Sequence, residues 1–339
     1  MDLKKIFLKD ACATSIGGQA IIDGIMMRGP ERMAIAMRLP DQRIFLKTEA
    51  TPKPSKWGKI PLIRGVVNFV SSLVQGTKVL MYSADKMEEF YPEDEKYEKS
   101  KFDIWVETKV GKEKAWNILM FLSVVVAIVL SVGLFMLLPT FIIGFIAKYT
   151  DSVLLMNLAE GIVRIIIFVI YIVTIARMEE IRTVFQYHGA EHKTIHCFEK
   201  GMDLTPSNAQ QFYTLHPRCG TSFMVFVMVI AILVHAFMGW PSVVMRVAGR
   251  LLALPIIAGL SYELLKWAGR SSNPLVKILS IPGLYVQKLT TKEPTEEQLE
   301  VAIVAMKAVL KPSDTPYFEG FCDLEGNPLE EQKTVEDEK

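Results

Sequence analysis

Long apolar runs separated by short charged ones dominate the middle of the chain. Residues 117–138, 154–176, 221–240 and 244–267 each approach the roughly 20 apolar residues that a helix needs to cross a bilayer. Four spans are therefore predicted. Leu138-Pro139 either ends the first span or kinks it on the way to Ile146. Upstream, Arg64, Asn68, Ser71, Ser72, Gln75 and Lys78 recur at helical spacing in an otherwise apolar stretch from Ile60 to Tyr82. That pattern predicts an amphipathic helix lying in the membrane surface; a partly inserted helix packed on the bundle is the rival reading. Met33 to Met37 and Arg43 to Thr48 read as two short strands around Pro40-Asp41-Gln42, a β-hairpin. Beyond the spans, Thr295-Glu296-Glu297-Gln298 is a capping box opening one more helix, with Leu299, Ala302, Ile303, Met306, Val309 and Leu310 on its apolar face. Lys311-Pro312 stops it.

The pattern predicts a mainly α fold: an integral membrane helical bundle of about four spans, a small N-terminal α/β region and a His-rich insertion. By sequence the segments run 1–58 (glycine-rich loop and hairpin), 59–115 (amphipathic helix and charged connector), 116–177 (spans one and two), 178–219 (His/Cys-rich insertion), 220–268 (spans three and four), 269–324 (C-terminal region with its helix) and 325–339 (acidic tail, expected to be disordered). The connector from Asp85 to Lys101 is charged and expected to be exposed. The charged stretch Met1 to Asp10 is not a signal peptide.

Charge places this architecture. Lys109, Lys112 and Lys114 precede the first span, Arg177 and Arg182 follow the second, Arg218 precedes the third, and Lys266, Arg270 and Lys277 end or follow the fourth. The loops at Lys148-Tyr149-Thr150-Asp151 and Gly239-Trp240-Pro241 carry one base between them. The excess of bases on one side predicts a multi-pass protein of the cytoplasmic membrane with both termini and the insertion in the cytoplasm. Overall, 38 Lys+Arg balance 37 Asp+Glu across 339 residues, half of them hydrophobic. The lipid bilayer is thus the expected partner, together with a membrane protein or a second copy of the chain; nucleic acid is not.

The candidate chemistry sits in one stretch. His188, His192 and His196 fall at four-residue spacing, so they stack along one side of a helix. His188 to His192 reads H-x-x-E-H, a pattern in which two histidines bind zinc and the glutamate, here Glu191, activates water. Further ligands are available in Glu199, His196, His216 and Cys219, the last two at H-x-x-C spacing. Four of five histidines and two of four cysteines lie within residues 188–219, which suits Zn2+ in a reduced compartment. Inside the spans, Glu160, Arg164, Arg250 and Glu263 are costly unless paired, as a structural lock or a polar site. Lone His235 reads as a packing residue. The glycine-rich stretch Gly17 to Pro30 fits no nucleotide fingerprint; it offers either turns or a loop that carries Asp23 and Arg28 toward a site.

GGQAIIDGIMMRGP, YHGAEHKTIHCFE, HPRCGTSF, SYELLKWAGR and LTTKEPTEEQLEVAI, in this order, resemble the YqhQ-like bacterial membrane family, domain of unknown function 1385. The resemblance covers about Gly17 to Leu310. It implies a bacterial membrane protein with a His-rich site and a metal-dependent enzyme, with no reaction specified. One position departs: Asp23 stands where the family pattern leads one to expect glutamate. Three functional readings follow. The first is a membrane-bound zinc hydrolase with Glu191 as base. The second is a non-catalytic zinc-stapled scaffold or adaptor. The third is a transporter or lipid-handling protein using the intramembrane Glu and Arg residues.

Overall fold

The computed structural model describes residues 3–8, 11–53, 55–91, 100–146, 149–239, 242–270 and 274–329. It is mostly helical with one small antiparallel sheet. The helices are α1 (Leu3–Ile6), α2 (Ile63–Phe90), α3 (Lys101–Val110), α4 (Lys112–Val132), α5 (Leu138–Ile146), α6 (Val153–Ile175), α7 (Glu179–Glu199), α8 (Pro206–Gln210), α9 (Thr221–Ala236), α10 (Val243–Arg270), α11 (Pro274–Thr290) and α12 (Glu296–Leu310). The strands are β1 (Gly17–Ile21), β2 (Gly24–Arg28), β3 (Arg32–Arg38), β4 (Ile44–Ala50) and β5 (Glu319–Cys322). In space the chain forms two units. One comprises Met1–Phe90, Ile172–Val227 and Ala258–Lys339; the other comprises Tyr91–Tyr171 and Met228–Ile257.

The first unit is built on the sheet, whose order is β1-β2-β3-β4-β5. The expected hairpin is β3–β4, with Met33 opposite Glu49 and Met37 opposite Phe45. The glycine-rich stretch is not a loop. It forms a second hairpin, β1–β2, whose turn places Asp23 at φ 44. Alternate residues of each strand face opposite sides. Ile25, Met27, Ala34, Ala36, Ile44 and Leu46 pack against α12 and α7. Met26, Met33, Ile35, Met37 and Phe45 pack with Val79 and Met87 of α2. Burial of both faces explains why GIMMR and RMAIAMR lack polar alternation. It also corrects the reading of α12. The capping box is present, but Val301, Val304, Ala305 and Ala308 are buried along with the predicted apolar face, of which Leu310 at the end is exposed. The helix lies between the sheet and α7 and is covered on most sides.

The helix expected at Ile60 to Tyr82 starts at Ile63 and runs to Phe90. Its first turns pack on α10: a Cβ added at Gly65 would lie 2.8 Å from the Gly259 Cα, and Asn68 Nδ2 donates to Tyr262 Oη at 2.9 Å. Arg64 pairs with Glu263. Phe69, Val70, Leu73 and Val74 remain exposed. Much of the charged connector (92–99) and most of the acidic tail (330–339) lie outside the described residues. Glu325 is held by Lys307, and Pro328 bridges to Cys322.

Among the described residues, three helices, not four, are long and apolar enough to cross a membrane: Phe121–Ile146, Val153–Ile175 and Val244–Trp267. The expected span at 221–240 is α9, an apolar helix of 16 residues. At 1.5 Å per residue it is about 24 Å long, short of the ~30 Å hydrocarbon layer. The first of these helices runs through Leu138-Pro139 by way of a π-helical turn at Gly133–Leu137. Pro139 has no N–H to offer the Phe135 carbonyl four residues back. Arg164 Nε of α6 supplies that donor at 2.9 Å.

Candidate metal centre

The metal candidates converge within the first unit. Helix α7 begins with Glu179 and Glu180 in its first turn, which complement the helix dipole, and it ends at Gly201, which adopts φ +68. From Tyr187 to Cys197 nearly every residue is buried beneath α12, β1 and the segment before α9. The rings of His188, His192, His216 and His196 form a row, with successive centroids 4.5, 5.6 and 4.5 Å apart.

The six predicted ligands separate into two triads, His188–His192–Cys219 and His196–Glu199–His216. Within each, one ligand atom per residue lies within 4.8 Å of the others. Hydrogen bonds assign the imidazole protons and distinguish the two. His188 Nδ1 faces the Thr290 carbonyl at 2.8 Å, and His192 Nδ1 faces the Thr214 carbonyl. A carbonyl only accepts, so both Nδ1 atoms carry hydrogen and both Nε2 atoms present lone pairs. His188 Nε2 lies 3.2 Å from Cys219 Sγ; His192 Nε2 is buried with no partner. Thr221 directs its N–H and its hydroxyl at the same sulfur, at 3.5 and 3.3 Å. Backbone carbonyls behind the imidazoles and donors around a sulfur are the surroundings in which such ligands hold zinc. Burial holds the His192 imidazole down to about 4, which keeps it neutral, as a ligand must be.

In the second triad the carboxylate is taken up by the protein itself, while His196 Nδ1 and His216 Nε2 are buried without a hydrogen bond. His216 Nδ1 accepts the Arg218 N–H at 3.3 Å, so its proton sits on Nε2, 3.6 Å from Glu199 Oε2. Glu199 also takes the Thr14 N–H at 2.8 Å and the Arg218 guanidinium. Burial alone would push its carboxyl up, but His216, Thr14 and Arg218 together hold it at about 2. This is a buried ion-pair network in which His216 has no lone pair to give on the Glu199 side.

Glu191 belongs to neither triad. Its carboxylate is buried, and Oε1 accepts the Gly18 N–H at 2.8 Å. Burial pushes its carboxyl up, against the opposing pull of His188 and the Gly18 N–H. The glycine-rich stretch therefore does reach the centre, but through a backbone amide. A Cβ on Gly18 would meet the Met26 carbonyl at 2.8 Å and Glu191 Cδ at 3.0 Å. Asp23 holds the hairpin turn, where its carbonyl accepts the Arg38 N–H. Arg28 binds Gln75 and the Pro52 carbonyl.

Several supports had no sequence signal. Gln287 clasps the His216 backbone, accepting its N–H and donating to its carbonyl, both at 2.9 Å. Thr214 and Thr290 act through main-chain oxygens, which any residue type would offer. Cys197 points elsewhere, toward the Asp203 carbonyl at 3.5 Å, and burial pushes its thiol up to about 11. Of the charged residues within the predicted spans, Glu160, Arg164 and Arg250 meet one another in the second unit, while Glu263 is held by Arg64.

Residues 60–312 match the family described as "Protein of unknown function (DUF1385)". "Uncharacterized protein YqhQ" of Bacillus subtilis (strain 168) is 33% identical over 303 residues, spanning 87% of this chain and 92% of the relative. No solved structure gives a significant match.

Proposed function

The chain belongs to this DUF1385 family, whose description assigns no reaction, and we propose from the site itself that it is a membrane-bound, zinc-dependent enzyme of hydrolytic type. One observation carries the reading. The unpartnered, buried Nε2 of His192 lies in reach of the His188 Nε2 and Cys219 Sγ, with both imidazoles set to the ligating tautomer from behind. Three protein donors are the number found in catalytic zinc sites, where structural sites use four. Zinc held there would supply Lewis acidity toward a scissile carbonyl or phosphoryl group. His188 and His192 bind, Cys219 closes the triad, and Glu191, beside His188 on α7, is the residue to accept a proton. Gly18 fixes that carboxylate through Oε1.

Purified without a His-tag and without chelators, the protein should carry about one zinc per chain. His188→Ala with His192→Ala should abolish it. Glu199→Gln should leave the metal in place, because the Glu199 carboxylate is already taken by Arg218 and the Thr14 N–H. Glu191→Gln should keep zinc and fold while the variant fails to complement a deletion strain. A wild-type protein without metal would overturn the reading; a Glu191→Gln protein that complements fully would remove the catalytic part of it.

The sidedness follows from packing within the first unit. The sheet, α7 and α12 form one core, so residues 17–50, 179–199 and 296–310 share one side of the bilayer. The chain between α7 and α12 must then cross an even number of times. Helix α10 needs a returning partner, and α9 is the apolar helix available, its short length met by local thinning of the bilayer. With the charge bias, that side is the cytoplasm. Reporters near Asn208 and after Lys339 should read cytoplasmic, and one near Asp151 external. Opposite signals from Asn208 and Lys339 would refute the pairing of α9 with α10.

A further inference from the structure

Glu263 lies inside the apolar stretch Val244–Trp267 of α10, yet neither the zinc centre nor the Glu160 cluster uses it. Its partners come from the start of α2 and the turn before it. The Leu62 N–H donates to Glu263 Oε1 at 3.3 Å, and Arg64 Nε donates to the same oxygen at 2.7 Å. Leu62 turns the chain at φ 66. Ile63, Arg64 and Gly65 then donate their N–H groups to the carbonyls of Pro61, Ile60 and Leu62. The amides that a helix start leaves free are therefore answered without water. Backbones meet closely here: a Cβ on Gly259 would lie 2.8 Å from the Leu62 carbonyl oxygen.

Chain length fixes how far this turn reaches. Strand β4 ends at Ala50, and Val79 and Met87 of α2 pack on the sheet to which β4 belongs. The chain from 51 to 78 thus leaves the sheet and comes back to it. Along the way it touches Gly259, eight residues from the Trp267 end of the apolar stretch, or about 12 Å along the helix. A helix starting from that depth needs about eight residues to regain the boundary, which brings α2 to the neighbourhood of Leu73. Gly76 is back at the sheet, where Gln19 Nε2 donates to its carbonyl at 3.3 Å. The residues between suit that passage. Every one from 69 to 74 is exposed, and Phe69, Val70, Leu73 and Val74 are 44–59% exposed. A protein partner would cover one face of such a helix, whereas lipid covers whatever the protein leaves open. Hydroxyls such as those of Ser71 and Ser72 can bond to helix carbonyls one turn back.

We propose that residues 60–74 form a re-entrant segment. It dips into the leaflet on the sheet's side, turns at Leu62 against α10, and returns as the first turns of α2 with lipid acyl chains around Phe69, Val70, Leu73 and Val74. Non-helical backbone is tolerated at such depth where protein satisfies it, and Glu263 does so here. The proposal rests on the reading of α10 as a membrane span and is independent of zinc.

The test uses the full-length protein in vesicles of phosphatidylcholine and phosphatidylglycerol with a trace of phospholipid carrying a diazirine in its acyl chain. After illumination, adducts are mapped by mass spectrometry. Adducts are expected at residues 69–74 at a density comparable with residues 251–256 of α10, and not at residues 85–89 further along α2. Leu73→Asp combined with Val74→Asp should draw the segment out of the lipid, because charge is costly there. Adducts at 69–74 should then be lost while those at 251–256 persist. Should this variant not fold, the map of the wild type still decides. Adducts at 251–256 with none at 69–74 would overturn the re-entrant segment and leave the span standing. Adducts at neither would remove both. Undiminished adducts at 69–74 in the folded variant would also overturn the proposal.

Discussion

Replacing Glu160 with glutamine is expected to lower stability by about 3–5 kcal/mol, the cost of removing one partner from a buried ion pair. The carboxylate touches Arg250 through two nitrogens and Arg164 through a third, and it is almost wholly buried. Glutamine keeps the shape and one acceptor but removes the charge, leaving both guanidinium groups without compensation. Arg164 keeps its bond from Nε to the Phe135 carbonyl, so the first span should hold its π-helical turn in the variant. Arg250→Met alone should be similarly damaging. Arg250→Met combined with Glu160→Gln should lose clearly less than the sum, because the pair is removed together. Unfolding followed in detergent for the four members of this cycle measures the coupling. Strict additivity would show that the carboxylate and Arg250 do not stabilise one another.

Gly189→Ala should unfold or displace the metal centre. A Cβ at Gly189 would stand 2.1 Å from the Lys292 carbonyl oxygen, and backbone atoms cannot yield as a flexible side chain can. The segment from Thr290 to Lys292 is fastened to α7 there. The Lys292 N–H donates to the Phe185 carbonyl at 2.9 Å, and the Thr290 carbonyl holds His188 Nδ1. Forcing this segment outward costs about 3 kcal/mol, at the upper end for overpacking. It also frees the His188 ring to rotate. The expected result is a lower unfolding midpoint together with zinc content well below that of the wild type. Gly201→Ala is a useful contrast: it meets no crowding, only the penalty of its positive φ, and it should leave the metal in place. Unchanged midpoint and zinc content in Gly189→Ala would contradict the close approach.

The candidate site was legible in sequence as a set of residue types at helical spacing, because i, i+4 stacking is a local property. Its division into two triads was not, since His216 and Cys219 return from beyond α8 and their roles depend on which ring nitrogen a distant carbonyl occupies. Gly18 reached Glu191 through its amide, and no side chain announces that. The sheet was half legible. The β3–β4 hairpin shows a turn between two apolar runs, whereas β1 and β2 are rich in glycine, which strands disfavour, and burial on both faces removed the alternation that marks a strand. The apolar stripe of α12 was placed correctly except at Leu310, which is exposed, and it is one part of a helix buried on most sides. The third span was predicted too long because its apolar run crosses the turn at Phe237 to Gly239, where the helix has already ended.

The pairing of β4 with β5 has a consequence for biogenesis. Until Glu319–Cys322 has been made, β4 has an open edge, and until α12 has been made one face of the sheet has no cover. All the helices of spanning length are translated in that interval. At ribosomal speed the wait is on the order of tens of seconds. The first ninety residues must therefore leave the ribosome as an incomplete sheet, with Ile25, Met27, Ala34 and Ala36 uncovered, while the following helices are still being made. An unpaired edge next to exposed apolar surface invites pairing with other chains. Helix α2 can cover the opposite face early, since it follows β4 directly. Chains truncated before α12 should for this reason depend on a chaperone or be degraded, even with every helix of spanning length intact.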